Sequence, residues 1–336
     1  MCTVTGIRET EAAIEFVKQR FSRLLARKLN LMRVSAPLCV FDDTGINDDL
    51  NGVEKPVSFY LKGIPERRVS VVQSLAKWKR VRLMEMDIEP GAGIYTEMRA
   101  LRPDEDLDPI HSVFVDQWDW ELRITREQRT IPYLKSVVKL IYKALTETEE
   151  ELYAYYSSFS PVLPSRIKFL YSDDLVAMYP GSSPKEREYE ITKKWGAVFI
   201  IGIGNKLSDG LPHDGRAPDY DDWTTETDSG HFGLNGDLII WNPVLESAFE
   251  ISSMGIRVDR DALIRQLDIC DCNHRKELLF HKMLLEGKLP LSIGGGIGQS
   301  RVCMFLLRKS HIGEVQPGLW PHSAIQTSRK IGTVLL

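Results

Sequence analysis

Residues 95–121 constrain this chain more than any other stretch, because two segments that alternate apolar and polar residues flank the turn Arg102-Pro103-Asp104-Glu105-Asp106. Alternation at a period of two predicts an antiparallel hairpin. Its second arm, from His111 to Glu121, sends Ser112, Phe114, Asp116, Trp118 and Trp120 to one face and Val113, Val115, Gln117 and Asp119 to the other. Polar groups therefore stand mid-strand, where burial is costly unless each finds a partner. An edge strand with one wet side is the plain reading of such a pattern; a polar wall facing a ligand is the other.

Around this hairpin the pattern alternates helices and strands without a βαβ repeat. Ile14, Val17, Phe21, Leu24, Leu25 and Leu29 recur at steps of three and four, which predicts an amphipathic helix over residues 9–29. A strand over residues 31–38 is broken by Pro37, tolerable only at an edge or strand end. Residues 42–52 form a polar loop, residues 57–60 and 69–72 read as strands, and a helix covers residues 74–82. There Ser74 is a plausible N-cap, and Lys77, Lys79, Arg80 and Arg82 read as a solvated basic face or as ligand-binding cations. A helical stripe from Leu134 to Leu152 has a core role. Strand, short helix, turn and a second helix capped by Ser183 follow, then a buried strand over residues 197–203. Residues 204–236 are a long Gly/Asp-rich segment, a kind of loop that is commonly functional. Strands over 237–241 and 249–258 and helices over 261–267 and 275–286 lead to Gly294-Gly295-Gly296-Ile297-Gly298, expected as a glycine-rich turn opening a helix to Leu307. The fold class is α+β, a mostly antiparallel sheet with helices packed on it.

With 336 residues, one large domain over residues 1–336 or a tightly fused pair is expected. Net charge is −4, so no global attraction to nucleic acid is predicted. The five cysteines lack a spaced framework, which fits free thiols in a reducing, cytoplasmic setting. No apolar run is long enough to span a bilayer, and no signal-peptide core opens the chain.

Several strings carry a resemblance. Arg102-x-x-Glu105 in a hairpin, followed by Gln117-x-Asp119 on the next strand, resembles the second signature motif of class II aminoacyl-tRNA synthetases. Ser74-Leu75-Ala76-Lys77-Trp78-Lys79-Arg80, Leu101-Arg102-Pro103-Asp104-Glu105-Asp106, Val115-Asp116-Gln117-Trp118-Asp119-Trp120-Glu121, Arg216-Ala217-Pro218-Asp219-Tyr220-Asp221-Asp222-Trp223, Ser252-Ser253-Met254-Gly255-Ile256-Arg257 and Gly294-Gly295-Gly296-Ile297-Gly298-Gln299-Ser300-Arg301 resemble the type A, ammonia-dependent asparagine synthetases (aspartate–ammonia ligases), in that family's order from Phe16 to about Pro321.

The resemblance implies a class II synthetase-like core and a ligase that joins the β-carboxylate of L-aspartate to AMP, releases pyrophosphate, and lets ammonia displace AMP to give L-asparagine. It implies that Arg102 holds the ATP α-phosphate, that Arg301 meets the γ-phosphate or leaving pyrophosphate, and that Gly296 and Gly298 flank the adenine. Glu105 would belong to the same nucleotide pocket, and His111 would either line it or simply begin a strand. Lys79, Arg257 and Ser253 would face the α-carboxylate of aspartate, Asp119 and Asp221 the α-ammonium, and Ser74 would be a further substrate-binding residue. Gln117 would reach the β-group, and Asp48 would meet the incoming nitrogen, with Asp49 as a neighbouring acid that confuses the assignment. Mg²⁺ is the usual partner of ATP, with Glu250 the first candidate ligand and Asp237 the second. Residues 9–40 match the superfamily's dimer-interface element, so a homodimer is implied.

Other signals carry less. Met1-Cys2 resembles the start of glutamine-hydrolysing synthetases, but a helix from residue 9 leaves no room for their glutaminase domain. Cys270-Asp271-Cys272-Asn273-His274 lacks a second ligand pair at zinc spacing. A true aspartyl- or asparaginyl-tRNA synthetase requires an anticodon-binding domain, for which too few residues precede the first helix. A catalytically silent regulatory relative is the remaining rival; Arg102, Gln117, Glu250 and Arg301 together argue against it.

Overall fold

The computed structural model describes residues 6–48, 54–156, 159–227, 229–330 and 332–336. Two assignments named above, Cys2 and Asp49, lie outside them. In chain order the elements are α1 (Ile7–Leu29), β1 (Leu31–Arg33), β2 (Cys39–Phe41), β3 (Ser58–Leu61), β4 (Ile64–Val71), α2 (Ala76–Glu85), β5 (Gly93–Leu101), β6 (Phe114–Arg123) and α3 (Ile131–Tyr155). There follow β7 (Lys168–Tyr171), α4 (Ser172–Met178), α5 (Pro184–Trp195), β8 (Ala197–Ile201), β9 (Asn235–Asn242), β10 (Ser247–Ile256), α6 (Arg260–Ile269), α7 (Leu279–Leu285), β11 (Ser292–Gly298), α8 (Gln299–Leu306) and α9 (His322–Lys330).

Eight strands form one sheet in the order β1-β5-β6-β11-β10-β9-β8-β7, and β2-β4-β3 form a small second sheet. Only the outermost pairs of the large sheet, β1 with β5 and β7 with β8, are parallel. The mostly antiparallel expectation therefore holds. The edge-strand reading of residues 111–121 does not, because β6 pairs with β5 on one side and β11 on the other. Its polar residues are interior to the sheet, so they need protein or ligand partners and cannot rely on water.

The predicted alternation of β6 sorts its two faces. Trp118 and Trp120 are fully buried against the helical side, where the Phe21 ring of α1 lies 4.5 Å from that of Trp118. There α1 packs on α3 and α8, and its apolar stripe joins the strands in one continuous core. Truncating a ring of that kind costs about 3–5 kcal/mol, so this face fixes the orientation of the other. Gln117, Asp119 and Glu121 point the opposite way, toward α2 and a cavity.

Two local expectations change. The expected strand over residues 31–38 is only three residues long, ending before Pro37, and the chain resumes as β2 in the other sheet. The glycine string is not a turn: Ser292–Gly298 is a central strand, and α8 begins only at Gln299. Its neighbours explain the glycines. A Cβ on Gly294 would lie 2.0 Å from Glu121 Oε2, and one on Gly296 would lie 2.1 Å from Gln117 Oε1. Side chains of β6 lie across β11, and only a residue with no side chain admits them.

Candidate active site

One cavity of about 670 Å³ opens on the polar face of β6. It gathers side chains from the 42–48 loop, the residues that follow β4, the connection between β5 and β6, β6 itself, the 204–234 segment, β10, β11 and α8. Of the residues singled out from sequence, Asp48, Ser74, Arg102, Glu105, His111, Gln117, Asp119, Asp221, Glu250, Ser253, Arg257, Gly296, Gly298 and Arg301 all line it. Lys79 and Asp237 do not.

Arg102 leads the connection between the hairpin arms, its backbone N–H donating to the Val113 carbonyl at 2.9 Å. Its guanidinium is 3.9 Å from Glu105, and its buried Nε has no hydrogen-bond partner among the described residues. Arg301, in the first turn of α8, donates to the Glu250 carbonyl at 3.1 Å and lies 3.9 Å from that carboxylate. His111 precedes β6, with Nδ1 2.9 Å from Asp108. In the first turn of α8 the Ser300 N–H donates to Asp116 at 3.0 Å.

A buried ionic array forms the floor. The cations of α2 are not a solvated face: Lys77, Lys79 and Arg80 are all buried, each against acceptors. Lys79 bonds the Asp119 carboxylate and donates to the carbonyls of Trp120 at 2.9 Å and Gly295 at 3.2 Å. An ammonium has three donors, and all three are used inside the protein. Lys79, which the resemblance placed at a substrate carboxylate, thus bonds Asp119 and does not line the cavity. Burial lowers the Lys79 pKa and raises that of Asp119, each partly offset by the other's charge. Arg257 bonds Glu121 through Nε at 2.9 Å and Nη2 at 2.8 Å, and Asp221 through Nη1. Three of its five donors are thereby used among the described residues, and two are not. Burial works against the Glu121 carboxylate, yet Arg257 holds its pKa below the ordinary value.

Asp237, the second metal candidate, is held behind the wall by Arg216, which also donates to Ser253 at 3.0 Å. Burial, with a smaller contribution from Glu250, raises the Asp237 pKa to about 6 despite that cation. Glu250 by contrast is partly exposed within the cavity. A bulge between Glu250 and Ser252 brings it there: the register shift at Ile251 lets Glu250 and Ser253, three residues apart, face the same side. Glu121 and Arg216 stand in the strings quoted above without a role assigned to them. The continued alternation Gln117, Asp119, Glu121 was a signal for the first; for Arg216 no local pattern speaks.

Solved structures with this architecture include asparaginyl-tRNA synthetase from Pyrococcus horikoshii complexed with asparaginyl-adenylate, at TM-score 0.68 and 14% identity over 93% of this chain and 70% of that one. Asparaginyl-tRNA synthetase from Entamoeba histolytica, in complex with asparaginyl-adenylate, matches at TM-score 0.67 and 12% identity over 92% of this chain and 66% of that one. The fold is that of the class II aminoacyl-tRNA synthetases. Sequence similarity is far more specific. A profile described as aspartate–ammonia ligase matches residues 8–332. Proteins named aspartate–ammonia ligase are 52% identical in Parabacteroides distasonis and 54% identical in Clostridium perfringens, each over 98% of this chain and 96% of the relative. The chain belongs to the aspartate–ammonia ligase family.

Proposed function

We propose that this chain makes asparagine from aspartate, ammonia and ATP in two steps in the one cavity, with β-aspartyl-AMP between them. The observation that carries the reading is that Arg102 and Arg301, from distant parts of the chain, line that cavity together with Gln117, Asp119 and Asp221. In the first step a β-carboxylate oxygen attacks the α-phosphorus and pyrophosphate leaves with the electrons of the broken P–O bond. Planar, permanently charged guanidinium groups suit the developing charge; Arg102, with a buried N–H unsatisfied, would contact the α-phosphate and Arg301 the γ-phosphate. Glu105, His111, Gly296 and Gly298 would border the nucleotide.

The floor array explains why aspartate would seat there. Lys79 and Arg257 are two cations among three carboxylates, Asp119, Glu121 and Asp221. The excess negative charge suits an α-ammonium beside Asp119 and Asp221, and the spare donors of Arg257, with Ser253 and Ser74, suit the α-carboxylate. Burial raises the Asp221 pKa, and an arriving ammonium would lower it again. Gln117 would hold the β-group. In the second step ammonium gives a proton to Asp48. The freed lone pair attacks the β-carbonyl carbon, the C–O bond to AMP breaks with its electrons going to the phosphate oxygen, and the nitrogen gives its second proton to solvent water.

Mg²⁺, when bound with ATP, would neutralise phosphate charge. Among the described residues no group of three or more His, Cys, Asp or Glu could cage it, which fits an ion held mainly by phosphate and water, with Glu250 as its protein ligand. A homodimer is the proposed assembly: β1 is an edge strand, and Met32 within it and Leu38 after it are exposed. Sedimentation should then give twice the mass of one chain. A single domain in a reducing cytoplasm is consistent with Cys39, Cys270, Cys272 and Cys303 being free. Among the described residues no helix is long and apolar enough to cross a membrane.

The decisive assay is aspartate-dependent exchange of labelled pyrophosphate into ATP without ammonium, followed by product analysis with it. AMP and pyrophosphate should appear in step with asparagine. Release of ADP and inorganic phosphate would overturn the adenylate route.

A further inference from the structure

We infer that Gln73 is a binding residue for the incoming nitrogen, holding ammonium or ammonia beside Asp48. This deepens the reading above and rests on it. Gln73 follows the end of β4 and is completely buried, yet it lines the cavity. Neither its amide oxygen nor its amide nitrogen has a hydrogen-bond partner among the described residues. A buried amide with both ends unfilled is rare and costly, and a cavity wall is where a ligand would fill it. Trp120 Nε1 and His281 Nδ1 also lack partners, but neither residue lines the cavity.

Asn47 holds the backbone of Gln73 to that of Asp48. Its side-chain oxygen accepts from the backbone N–H of Asp48 at 3.0 Å and from that of Gln73 at 2.9 Å. Its amide nitrogen donates to the Val71 carbonyl at 3.1 Å, tying the loop to β4. One side chain thus staples the residue proposed to accept the proton to the residue with the unfilled amide. The amino-acid floor, built from α2, β6 and the 219–221 segment, already pairs its own charges.

The chemistry of an amide suits this place. The nitrogen must be captured as ammonium yet attack as ammonia. A second carboxylate would stabilise the cation and hold back its lone pair, whereas a neutral acceptor binds an N–H in either protonation state.

The test uses the full chain with ammonium chloride as the probe, at saturating ATP and aspartate. Gln73→Met removes both polar atoms at similar length. The expected result is a KM for ammonium raised about tenfold, the scale of one lost hydrogen bond, with aspartate-dependent pyrophosphate exchange unchanged and a melting temperature equal to or above that of the parent. An unchanged ammonium KM, an exchange rate falling in parallel with asparagine formation, or a lower melting temperature would each overturn the inference. Gln73→Glu provides the second arm: kcat for amide formation should fall at neutral pH while the ammonium KM does not rise. The reverse split would also overturn it. If the unmutated protein neither exchanges pyrophosphate nor makes asparagine from ammonium, the two-step reading itself fails, a result distinct from either variant's.

Discussion

Gly296→Ala should leave the fold standing and disable the site through a neighbour. The new methyl would lie 2.1 Å from Gln117 Oε1 and 2.6 Å from its Cδ. Ordinary contact begins near 3.4 Å, so the amide must retreat by about 1.3 Å, a clash of the size that rotation of a flexible terminus resolves. Stability should therefore drop by about 1–3 kcal/mol, the usual cost of overpacking. A misplacement of about 1 Å at a positioning group, by contrast, costs about 10²-fold in rate, or about 2.7 kcal/mol of barrier. Gly295→Ala makes the control. There the methyl would meet Met254 Cβ at 2.5 Å and the Ser253 carbonyl oxygen at 2.6 Å, neither of which can swing aside, so loss of folded protein is expected. Circular dichroism melts and steady-state kcat/KM for aspartate are to be measured on Gly296→Ala, Gln117→Ala and the double variant. If Gln117 is the route of damage, the double variant is no worse than Gln117→Ala alone. Additive losses, or near-normal activity in Gly296→Ala, would refute the reasoning.

The other expectations concern the residues proposed for the two chemical steps, the buried array and a thiol. Arg102→Ala should abolish pyrophosphate exchange, whereas Asp48→Ala should spare exchange and cripple amide formation; normal asparagine output from Asp48→Ala would remove that residue from the mechanism. Glu121→Ala strips Arg257 and Ser292 of a buried partner and should destabilise by about 3–5 kcal/mol, read as a lower urea midpoint; an unchanged midpoint would mean the array is not coupled to folding. Burial pushes the Cys303 thiol from 9.0 up to about 12. A group whose folded pKa is raised contributes stability below its unfolded pKa and loses it as pH rises. Between pH 9 and 12 this thiol should therefore contribute a loss of up to about 1.4 kcal/mol per pH unit, absent in Cys303→Ala, and at pH 8 thiol reagents should label the exposed Cys270 well before Cys303.

The sequence determined the parts whose signal is local. The period-two pattern of residues 111–121 assigned Trp118 and Trp120 to one face and Gln117 and Asp119 to the other, and the three-and-four spacing from Ile14 to Leu29 marked α1, because side-chain direction follows backbone geometry residue by residue. Ser183 at a helix start and the long segment after residue 203 were legible for the same reason. Tertiary structure decided everything that depends on what lies across the sheet. Plain alternation places Glu250 and Ser253 on opposite faces; a bulge, set by pairing with β9, joins them. A glycine run reads equally as a turn or a strand until Gln117 and Glu121 are seen lying over it. The same lysine-rich helix reads as a wet face until Asp119 and Asp219 are found beneath it. Partners distant in the chain leave no trace in each other's neighbourhood, so whether a charge is solvated, paired or left open for a ligand is settled only when the chain has closed around it.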